Sequence, residues 1–389
     1  MRNQRVLVIA VMLGLFVSGC ASQATPSAEV TAEPIKVGFV SDFSGFWAAN
    51  EVPMRDGAQY AVDEINAAGG VLGRPLELIA RDGKDDNALT VRLVQELIDE
   101  GVVYIIGTVG DPMVATGQIA CEAGIPISTG IGSAPNLVDD AGSCAFTIVM
   151  NDTIQGAVAA EYAYDQGYRT AYLLRSSAVP YTQNLPTYFQ EAFERLGGNV
   201  LGEDEFALEG GDYSAQVTTI SSLPAAPDVI YTSMIVPDTN LFMRQLRAAG
   251  VDIPALGSDG DDNPVFLEAG PAVEGFVFTT SGFPVPGTPL ADFYDAYEAA
   301  TGTRPDNIFY AEGYDEIYAV KHAIDSAGSA EPGAILEALR HLQGFVGITG
   351  AWDMNPETRR ADKPVALVGI ENNKFTYVDM FFPEWVPEP

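Results

Sequence analysis

A cluster of closely spaced carboxylates is the first feature of this sequence that could bind a metal ion. Asp259-Gly260-Asp261-Asp262-Asn263 offers the oxygen ligands of a calcium loop, but the glycine at the sixth position and the glutamate at the twelfth are missing. A polar turn explains this segment better, so we predict no metal site. The two histidines, His322 and His341, fall within helical patterns, and we expect neither to act as a general base.

Motifs of common catalytic sites are absent from the sequence. It has no Gly-x-Ser-x-Gly elbow, no Gly-x-x-x-x-Gly-Lys-Ser/Thr loop and no His-Glu-x-x-His pair. Gly130-Ile131-Gly132 is a lone Gly-x-Gly, which is weak evidence for a dinucleotide site. We therefore predict that the protein is not an enzyme and carries no cofactor.

Glycine and polar residues instead follow several predicted strands. Three such segments are Gly107–Asp111, Gly130–Ser133 and Gly257–Asp259. In open parallel sheets, ligands bind beyond the carboxyl ends of the strands, where helix N-termini offer free N–H groups and a positive dipole. These segments are therefore candidates for a small-molecule site.

The elements that must position these segments alternate between strand and helix. Ile35–Ser41 has the pattern of a buried strand, and apolar residues then recur at helical spacing from Met54 to Ala68. The alternation continues to about residue 342, and two final strands flank Asn372-Asn373 as a hairpin. Because these strands are too many for one sheet, we predict an α/β protein with two lobes, each a mainly parallel sheet flanked by helices.

The N-terminus has the pattern of a bacterial lipoprotein signal. Two arginines precede an apolar run, Val6–Val17, that is too short to span a bilayer, and Ser18-Gly19 then precede Cys20. We predict a signal peptide at residues 1–19, lipid on Cys20 and a flexible tether at residues 20–34. The protein is thus expected outside the cytoplasm, anchored to a membrane.

Acidic residues dominate the charge of the chain. The net charge is -33, which makes nucleic acid an unsuitable partner because no basic groove can be formed. A solvated surface adapted to salt or acid explains the acidity better than a cation-binding role.

Two cysteines remain after Cys20. Export places Cys121 and Cys144 in an oxidising compartment, so we predict that they form a disulfide around residues 127–143.

Several segments in the same order resemble the solute-binding proteins of branched-chain amino acid ABC transporters, the leucine/isoleucine/valine-binding type. The most recognisable one runs from Gly57 to Gly73 (GAQYAVDEINAAGGVLG), and others include Glu122–Pro126 and Arg247–Gly250. The similarity spans nearly all of residues 35–380. It implies a type I periplasmic binding protein fold, in which two lobes joined by three crossovers close on a solute.

The resemblance also implies boundaries and partners. We place the crossovers near Met150, Ser281 and Gly347, which divides the chain into lobe 1 (residues 35–149 and 282–346) and lobe 2 (residues 150–281 and 347–389). The expected partners are a small polar solute and the permease and ATPase subunits of a transporter, and the clamp is expected to be a monomer.

Matching positions of the family imply roles for particular residues. Ser133 matches a hydroxyl that binds the α-carboxylate of the ligand, and Ile131 contributes backbone groups beside it. Asp259 matches an acid that holds the α-ammonium group, which needs an anionic partner once it is desolvated.

Tyr181 opens a helix where the family places an aromatic residue on the ligand. Trp47 and Tyr310 are expected to form walls of the pocket. Buried core positions remain an alternative for the aromatic residues, and helix capping or turn formation for Ser133 and Asp259.

Two positions depart from the family pattern. Asp111 stands where a carboxylate-binding serine is common, and Asp111-Pro112 is typical of an N-cap followed by proline at the first helical position. Ile235 replaces another aromatic residue. An anionic Asp111 would repel a substrate carboxylate, so an amide or an amine-bearing compound stays open beside a branched-chain amino acid. A sensing domain that acts through a separate signalling partner is the alternative to transport.

Overall fold

The computed structural model describes residues 32–389, apart from the side chain of Asp111. The predicted signal peptide and Cys20 lie outside the described residues. Arg74 donates hydrogen bonds to the carbonyl oxygens of Glu33 (2.8 Å) and Pro34 (3.2 Å), so the last two residues of the predicted tether are held against the fold. Within residues 32–389, no helix combines the length and the apolar character needed to span a bilayer.

Between residues 32 and 389, the strands form two large sheets and one small one. Their bounds are β1 (Ile35–Ser41), β2 (Leu76–Asp82), β3 (Tyr104–Ile106), β4 (Ile127–Ser128), β5 (Ala145–Phe146), β6 (Thr170–Arg175), β7 (Asn199–Glu205), β8 (Val229–Thr232), β9 (Ala255–Gly257), β10 (Val277–Thr280), β11 (Phe345–Gly347), β12 (Gly350–Met354), β13 (Ala361–Asp362), β14 (Val365–Glu371) and β15 (Lys374–Phe381). The first sheet has the order β2-β1-β3-β4-β5 and is entirely parallel. The second has the order β15-β14-β10-β9-β8-β6-β7 and is parallel except at β14 and β15. Strands β11, β12 and β13 form the small antiparallel sheet.

Helices cover both faces of the two large sheets. They are α1 (Ala48–Ala67), α2 (Asn87–Asp99), α3 (Asp111–Glu122), α4 (Asn136–Ala141), α5 (Asp152–Asp165), α6 (Pro180–Leu196), α7 (Ser214–Ser221), α8 (Asp238–Ala248), α9 (Pro289–Thr301), α10 (Phe309–Ala327) and α11 (Pro332–Arg340). This architecture confirms the predicted α/β class with two mainly parallel sheets. The predicted hairpin is also confirmed, because Asn372 and Asn373 adopt positive φ between β14 and β15.

Each large sheet is packed between two apolar clusters. In the first lobe, Phe39 and Ile317 belong to one cluster, and Val40 and Ile105 belong to the cluster on the opposite face of the sheet. The second sheet is covered in the same way by clusters that include Leu173 on one face and Phe278 on the other. Near-continuous apolar strands, rather than alternating ones, are the sequence signal of a sheet buried on both faces.

Two glycines allow α1 and α10 to pack closely in the first lobe. A Cβ atom on Gly57 would lie 1.8 Å from the carbonyl oxygen of Tyr310, and one on Gly313 would lie 1.9 Å from that of Met54. Both contacts are with backbone atoms, which cannot move aside as a flexible side chain could. The backbones of α1 and α10 are therefore in direct contact at these two positions.

The chain passes between the two cores in three places. The first passage lies between Ile148 and Met150, and the second follows β10 and precedes Leu290. The third lies between Ala361 and Val365, so the prediction of a crossover near Gly347 was wrong. Residues 345–361 stay with the first lobe because β11, β12 and β13 add apolar side chains to its core, among them Trp352.

Buried charges fasten the second and third passages to α10. Lys363, on the third passage, is 1% exposed and donates a hydrogen bond to Thr349 (2.8 Å). Burial lowers the pKa of Lys363, whereas the charges of Asp315, Glu312 and Glu316 raise it. Ser281, on the second passage, donates a hydrogen bond to Glu312. The helix α10 therefore bonds the second passage directly, and it reaches the third through Thr349, whose N–H donates to Asp315 (2.9 Å).

Cys121 and Cys144 are bonded as a disulfide, with their Cα atoms 5.3 Å apart. The bond joins the last turn of α3 to the residue before β5. The enclosed segment contains β4, the Gly130–Ser133 loop and α4. A bond at this position limits how far the loop can move relative to α3.

We predict that the Cys121–Cys144 bond is present in the secreted protein and stabilises it by about 2–4 kcal/mol. A Cys20→Ser variant denatured without reductant should show no free thiol, and two after reduction. The double variant Cys121→Ser, Cys144→Ser should lose that free energy of unfolding in denaturant titration. Two free thiols before reduction would contradict the prediction.

We predict that Lys363→Met lowers the free energy of unfolding by about 3–5 kcal/mol at pH 8, because the carboxylates of α10 would lose their buried cation. The loss should be smaller at pH 5, since the pKa of Glu312 is raised to about 8 and that of Glu316 to about 7, mainly by burial, so protonation removes the unpaired charge. Urea titration at both pH values measures this. The exposed Lys374, changed to Met, is the control and should change stability by less than about 0.5 kcal/mol. Equal losses of unfolding free energy in Lys363→Met and Lys374→Met would count against Lys363 as the buried cation of the α10 carboxylates.

Candidate functional site

A cavity of about 280 Å³ lies between the two lobes. Its walls come from the loops that follow β1, β2, β3 and β4 on one side, and β6, β8 and β9 on the other. The lining residues are Asp42, Trp47, Asn50, Asp85, Asn87, Val109, Gly110, Pro112, Ile131, Gly132, Ser133, Ala134, Leu137, Val179, Pro180, Tyr181, Ile235, Asp259, Gly260 and Phe309. The cavity thus occupies the carboxyl ends of parallel strands, where such folds bind ligands.

Asp259 and Tyr181 form the polar part of the second-lobe wall. The Tyr181 hydroxyl donates to Oδ1 of Asp259 (2.9 Å) and accepts from the N–H of Gly260 (3.1 Å). It is also hydrogen-bonded to the hydroxyl of Ser258. Asp259 is the first residue of a 3-10 turn, Asp259–Asp261, as expected for a polar turn after β9. These bonds fix the carboxylate at the edge of the cavity.

Burial dominates the electrostatics of Asp259. The side chain is 8% exposed, and desolvation raises the pKa of its carboxyl group to about 6, against the lowering effect of hydrogen bonds from Tyr181 and Gln155. Behind it, the fully buried Asp152 has a pKa raised well above its usual range, first by burial and further by the charge of Asp259. Asp259 is therefore the carboxylate of this pair that ionises near neutral pH and faces the cavity.

The first-lobe wall combines apolar side chains with one hydroxyl. Trp47 is the N-cap residue of α1, and Ile131 and Ser133 lie on the loop after β4. Ser133 is 4% exposed, and its carbonyl oxygen accepts a hydrogen bond from the N–H of Asp152 (3.0 Å). The structure therefore brings five predicted residues around one space: Trp47, Ile131, Ser133, Tyr181 and Asp259.

Tyr310 does not line the cavity, so its prediction as a pocket wall was wrong. Its ring packs against Tyr297 with centroids 5.2 Å apart, on the side of α10 that faces α9. The preceding residue, Phe309, lines the cavity instead. Adjacent residues on a helix point about 100° apart, so the helical pattern alone could not decide between them.

Asp111 is described only by its backbone. The helix α3 begins at Asp111, and Gly110 occupies the N-cap position with φ 72°, so the prediction that Asp111 is the N-cap was wrong by one residue. Pro112 lines the cavity at the start of this helix. Glycine suits the cap position because it adopts positive φ without steric cost.

Sequence reasoning missed four polar residues that line the first-lobe wall. Asp42 follows β1, Asn50 lies in the first turn of α1, and Asp85 and Asn87 surround the start of α2. Asp42 accepts a hydrogen bond from the N–H of Asp85 (2.9 Å). The same rule that selected Gly130–Ser133, polar residues just beyond a strand, could have found Asp42.

Among the side chains that the structure describes, three carboxylates line the cavity, from Asp42, Asp85 and Asp259, and no Lys, Arg or His does. Apolar side chains such as Trp47 and Phe309 occupy much of the remaining wall. A carboxylate in such a partly desolvated space attracts a cation more strongly than it would in water. The arrangement is suited to binding an ammonium group on a small, partly apolar molecule.

The sequence profile of the family described as periplasmic binding protein matches residues 34–374. The chain belongs to this family. In structure, the leucine-binding protein of Thermotoga maritima superposes with a TM-score of 0.81 and 28% identity over 90% of this chain and 99% of the other. The family supports a solute-binding role outside the cytoplasm.

The relatives of this protein are named for different ligands. A protein of Pseudomonas aeruginosa named for binding leucine, isoleucine, valine, threonine and alanine is 25% identical over 317 residues, covering 81% of this chain and 84% of its own. A solute-binding protein of R. palustris, solved with benzoate, has a TM-score of 0.79 at 20% identity, over 92% of this chain and 98% of its own, a likeness in fold alone. The fold therefore accommodates more than one ligand class, and the side chains of the cavity decide among them.

We predict that Tyr181→Phe raises the pKa of Asp259 above about 6, because the carboxylate loses the hydroxyl that stabilises its charged form. An NMR titration of carbon-13-labelled aspartate carboxyl groups, assigned with Asp259→Asn, would measure the shift. Tyr162→Phe is the control, since this partly buried tyrosine of α5 makes no hydrogen bond to Asp259. If the pKa of Asp259 is unchanged in Tyr181→Phe, the Tyr181 hydroxyl does not stabilise the charged form of this carboxyl group.

Proposed function

We propose that this protein is a substrate-binding lipoprotein of an ABC transporter. It clamps a small amine-bearing solute, of the class of branched-chain or related amino acids, between its lobes and delivers it to a membrane permease. Lipid on Cys20 and the following residues would keep the clamp near that permease. The observation that carries the proposal is the buried carboxylate of Asp259, which faces a partly apolar cavity without a basic side chain among the described lining residues.

In the proposed complex the ligand ammonium group pairs with Asp259. This ion pair gains strength because closure of the lobes would exclude water from both partners. The ligand carboxylate would bind at Ser133 and the backbone beside Ile131, across the cavity from the second lobe. Hydrocarbon between the two groups would contact Trp47 and Phe309.

Relatives support the amino-acid part of this proposal. The Pseudomonas aeruginosa protein is named for five neutral amino acids, and the Thermotoga maritima protein for leucine. The acidic lining supports the amine part more directly, since three carboxylates would repel a ligand that is an anion only.

We predict that leucine and 3-methylbutylamine bind, whereas 4-methylpentanoate does not. The amine lacks only the carboxylate of leucine, and the acid lacks only its ammonium group, so calorimetric titration of the three separates the two contributions. Isoleucine and valine extend the series. Binding of the acid without binding of the amine would contradict the role of Asp259, and the absence of binding by every amino acid and amine would refute the proposed function.

The Asp259→Asn variant should weaken binding of leucine and of the amine by at least about 30-fold, since a charged hydrogen-bonded pair is worth about 2–5 kcal/mol. In the unsubstituted protein, affinity should fall as the pH drops below about 6, because protonation removes the charge of Asp259. The variant should lack this pH dependence. Asp252→Asn, at an exposed position outside the cavity, is the control.

A further inference from the structure

A second polar corner of the cavity lies in the first lobe, apart from Asp259. We call it the Asp42 corner, and it consists of Asp42, Asn50 and Asp85. Asp42 directly follows β1, Asn50 lies in the first turn of α1, and Asp85 lies in the loop after β2. All three line the same cavity as Asp259, which belongs to the opposite wall.

Asn50 is a buried residue, but its carboxamide group has no hydrogen-bond partner among the neighbouring residues. The residue is 7% exposed, and its carboxamide makes no hydrogen bond with any residue that the structure describes. The carboxamide is not one of the fully enclosed groups without a partner, so it keeps access to the cavity. A ligand group in the cavity would provide the missing partner, since Asn50 lines it.

Asp42 also has unused hydrogen-bonding capacity towards the cavity. It is 6% exposed, and only one of its oxygens, Oδ1, accepts a hydrogen bond from the described residues, from the N–H of Asp85. Neither Asp42 nor Asp85 forms an ion pair within residues 32–389. Burial is the main cause that raises the pKa of Asp42, the hydrogen bond from Asp85 lowers it, and the charges of Asp85 and Asp82 raise it further. These neighbouring negative charges favour a cation beside Asp42.

Arg55 is close in sequence to this corner but does not neutralise it. Its guanidinium group donates to Asp56 and lies over the ring of Phe43, 5.1 Å from the ring centroid. The nearby Lys84 is exposed and is not among the lining residues. The negative charge of the Asp42 corner is therefore left for a group that enters the cavity.

We propose that the Asp42 corner binds a second cationic group of the ligand, at the end opposite to the ammonium group held by Asp259. The ligand class is then a short aliphatic compound with an ammonium or amidinium group at each end, such as a diamine or a basic amino acid. Asp42 supplies the charge, the carboxamide oxygen of Asn50 accepts a hydrogen bond, and Trp47 contacts the aliphatic middle. This inference rests on the proposed function and narrows its amine-bearing ligands to dications and basic amino acids.

The test compares probes that differ only in the second cation. Calorimetric titration of the whole protein would use 1-aminopentane against 1,5-diaminopentane, and norleucine against lysine. We expect each second ammonium group to raise affinity at least tenfold. Equal affinities within each pair would overturn the inference and leave the proposed function intact, whereas no binding by these probes or by leucine would refute both.

Two variants then test whether the Asp42 corner causes the higher affinity for the second ammonium group. Asp42→Asn and Asn50→Ala should each reduce the advantage of the second ammonium group, measured as the ratio of the affinities for 1,5-diaminopentane and 1-aminopentane, to less than threefold. Asp63→Asn removes an exposed carboxylate from the same helix as Asn50, outside the cavity, and should keep the full advantage. If one of these two variants fails to fold, the other still tests the inference. A folded variant that keeps the tenfold higher affinity for 1,5-diaminopentane over 1-aminopentane would overturn the assignment of the second cation site to the Asp42 corner.

Discussion

The buried charges on α10 are the interaction on which the two-lobed arrangement depends. Glu312 on α10 accepts a hydrogen bond from Ser281, and the charges of Asp315, Glu312 and Glu316 act on the buried Lys363; Ser281 and Lys363 lie on two of the three passages between the lobes. A buried lysine surrounded by carboxylates is expensive to form, yet far more expensive to break on one side only. The passages are therefore fixed to the first lobe, and any relative movement of the lobes must take place beyond these anchors.

Carboxylates serve two different purposes in this protein, and their partners distinguish them. Asp315 accepts backbone hydrogen bonds from Ile348 (2.8 Å) and Thr349 (2.9 Å), so its charge is used within the fold. Asp259 and Asp42 keep part of their capacity towards the cavity. An acidic composition thus says little about function until the partner of each carboxylate is known.

Much of the fold followed from local patterns, whereas much of the site did not. The buried strand Ile35–Ser41 and the Asn372-Asn373 hairpin were predicted with their observed limits or turn, because strand burial and turn chemistry are local properties. The third passage was misplaced because β11, β12 and β13 join the first lobe through distant apolar contacts. Phe309, rather than Tyr310, lines the cavity for a similar reason, since the rotation of α10 is set by its packing against α1.

The sequence by itself determined the alternation of strands and helices, because these follow from residue order and spacing. Its resemblance to the family then supplied Asp259, Ser133 and Tyr181 as polar candidates. Only the tertiary structure decided which polar groups share one cavity and which are satisfied by neighbours. It brought Asp42 and Asn50 opposite Asp259 from segments more than 200 residues apart in the chain. The physical reason is that the free energy of a polar group depends on its desolvation and its partners, and both are set by contacts between remote segments.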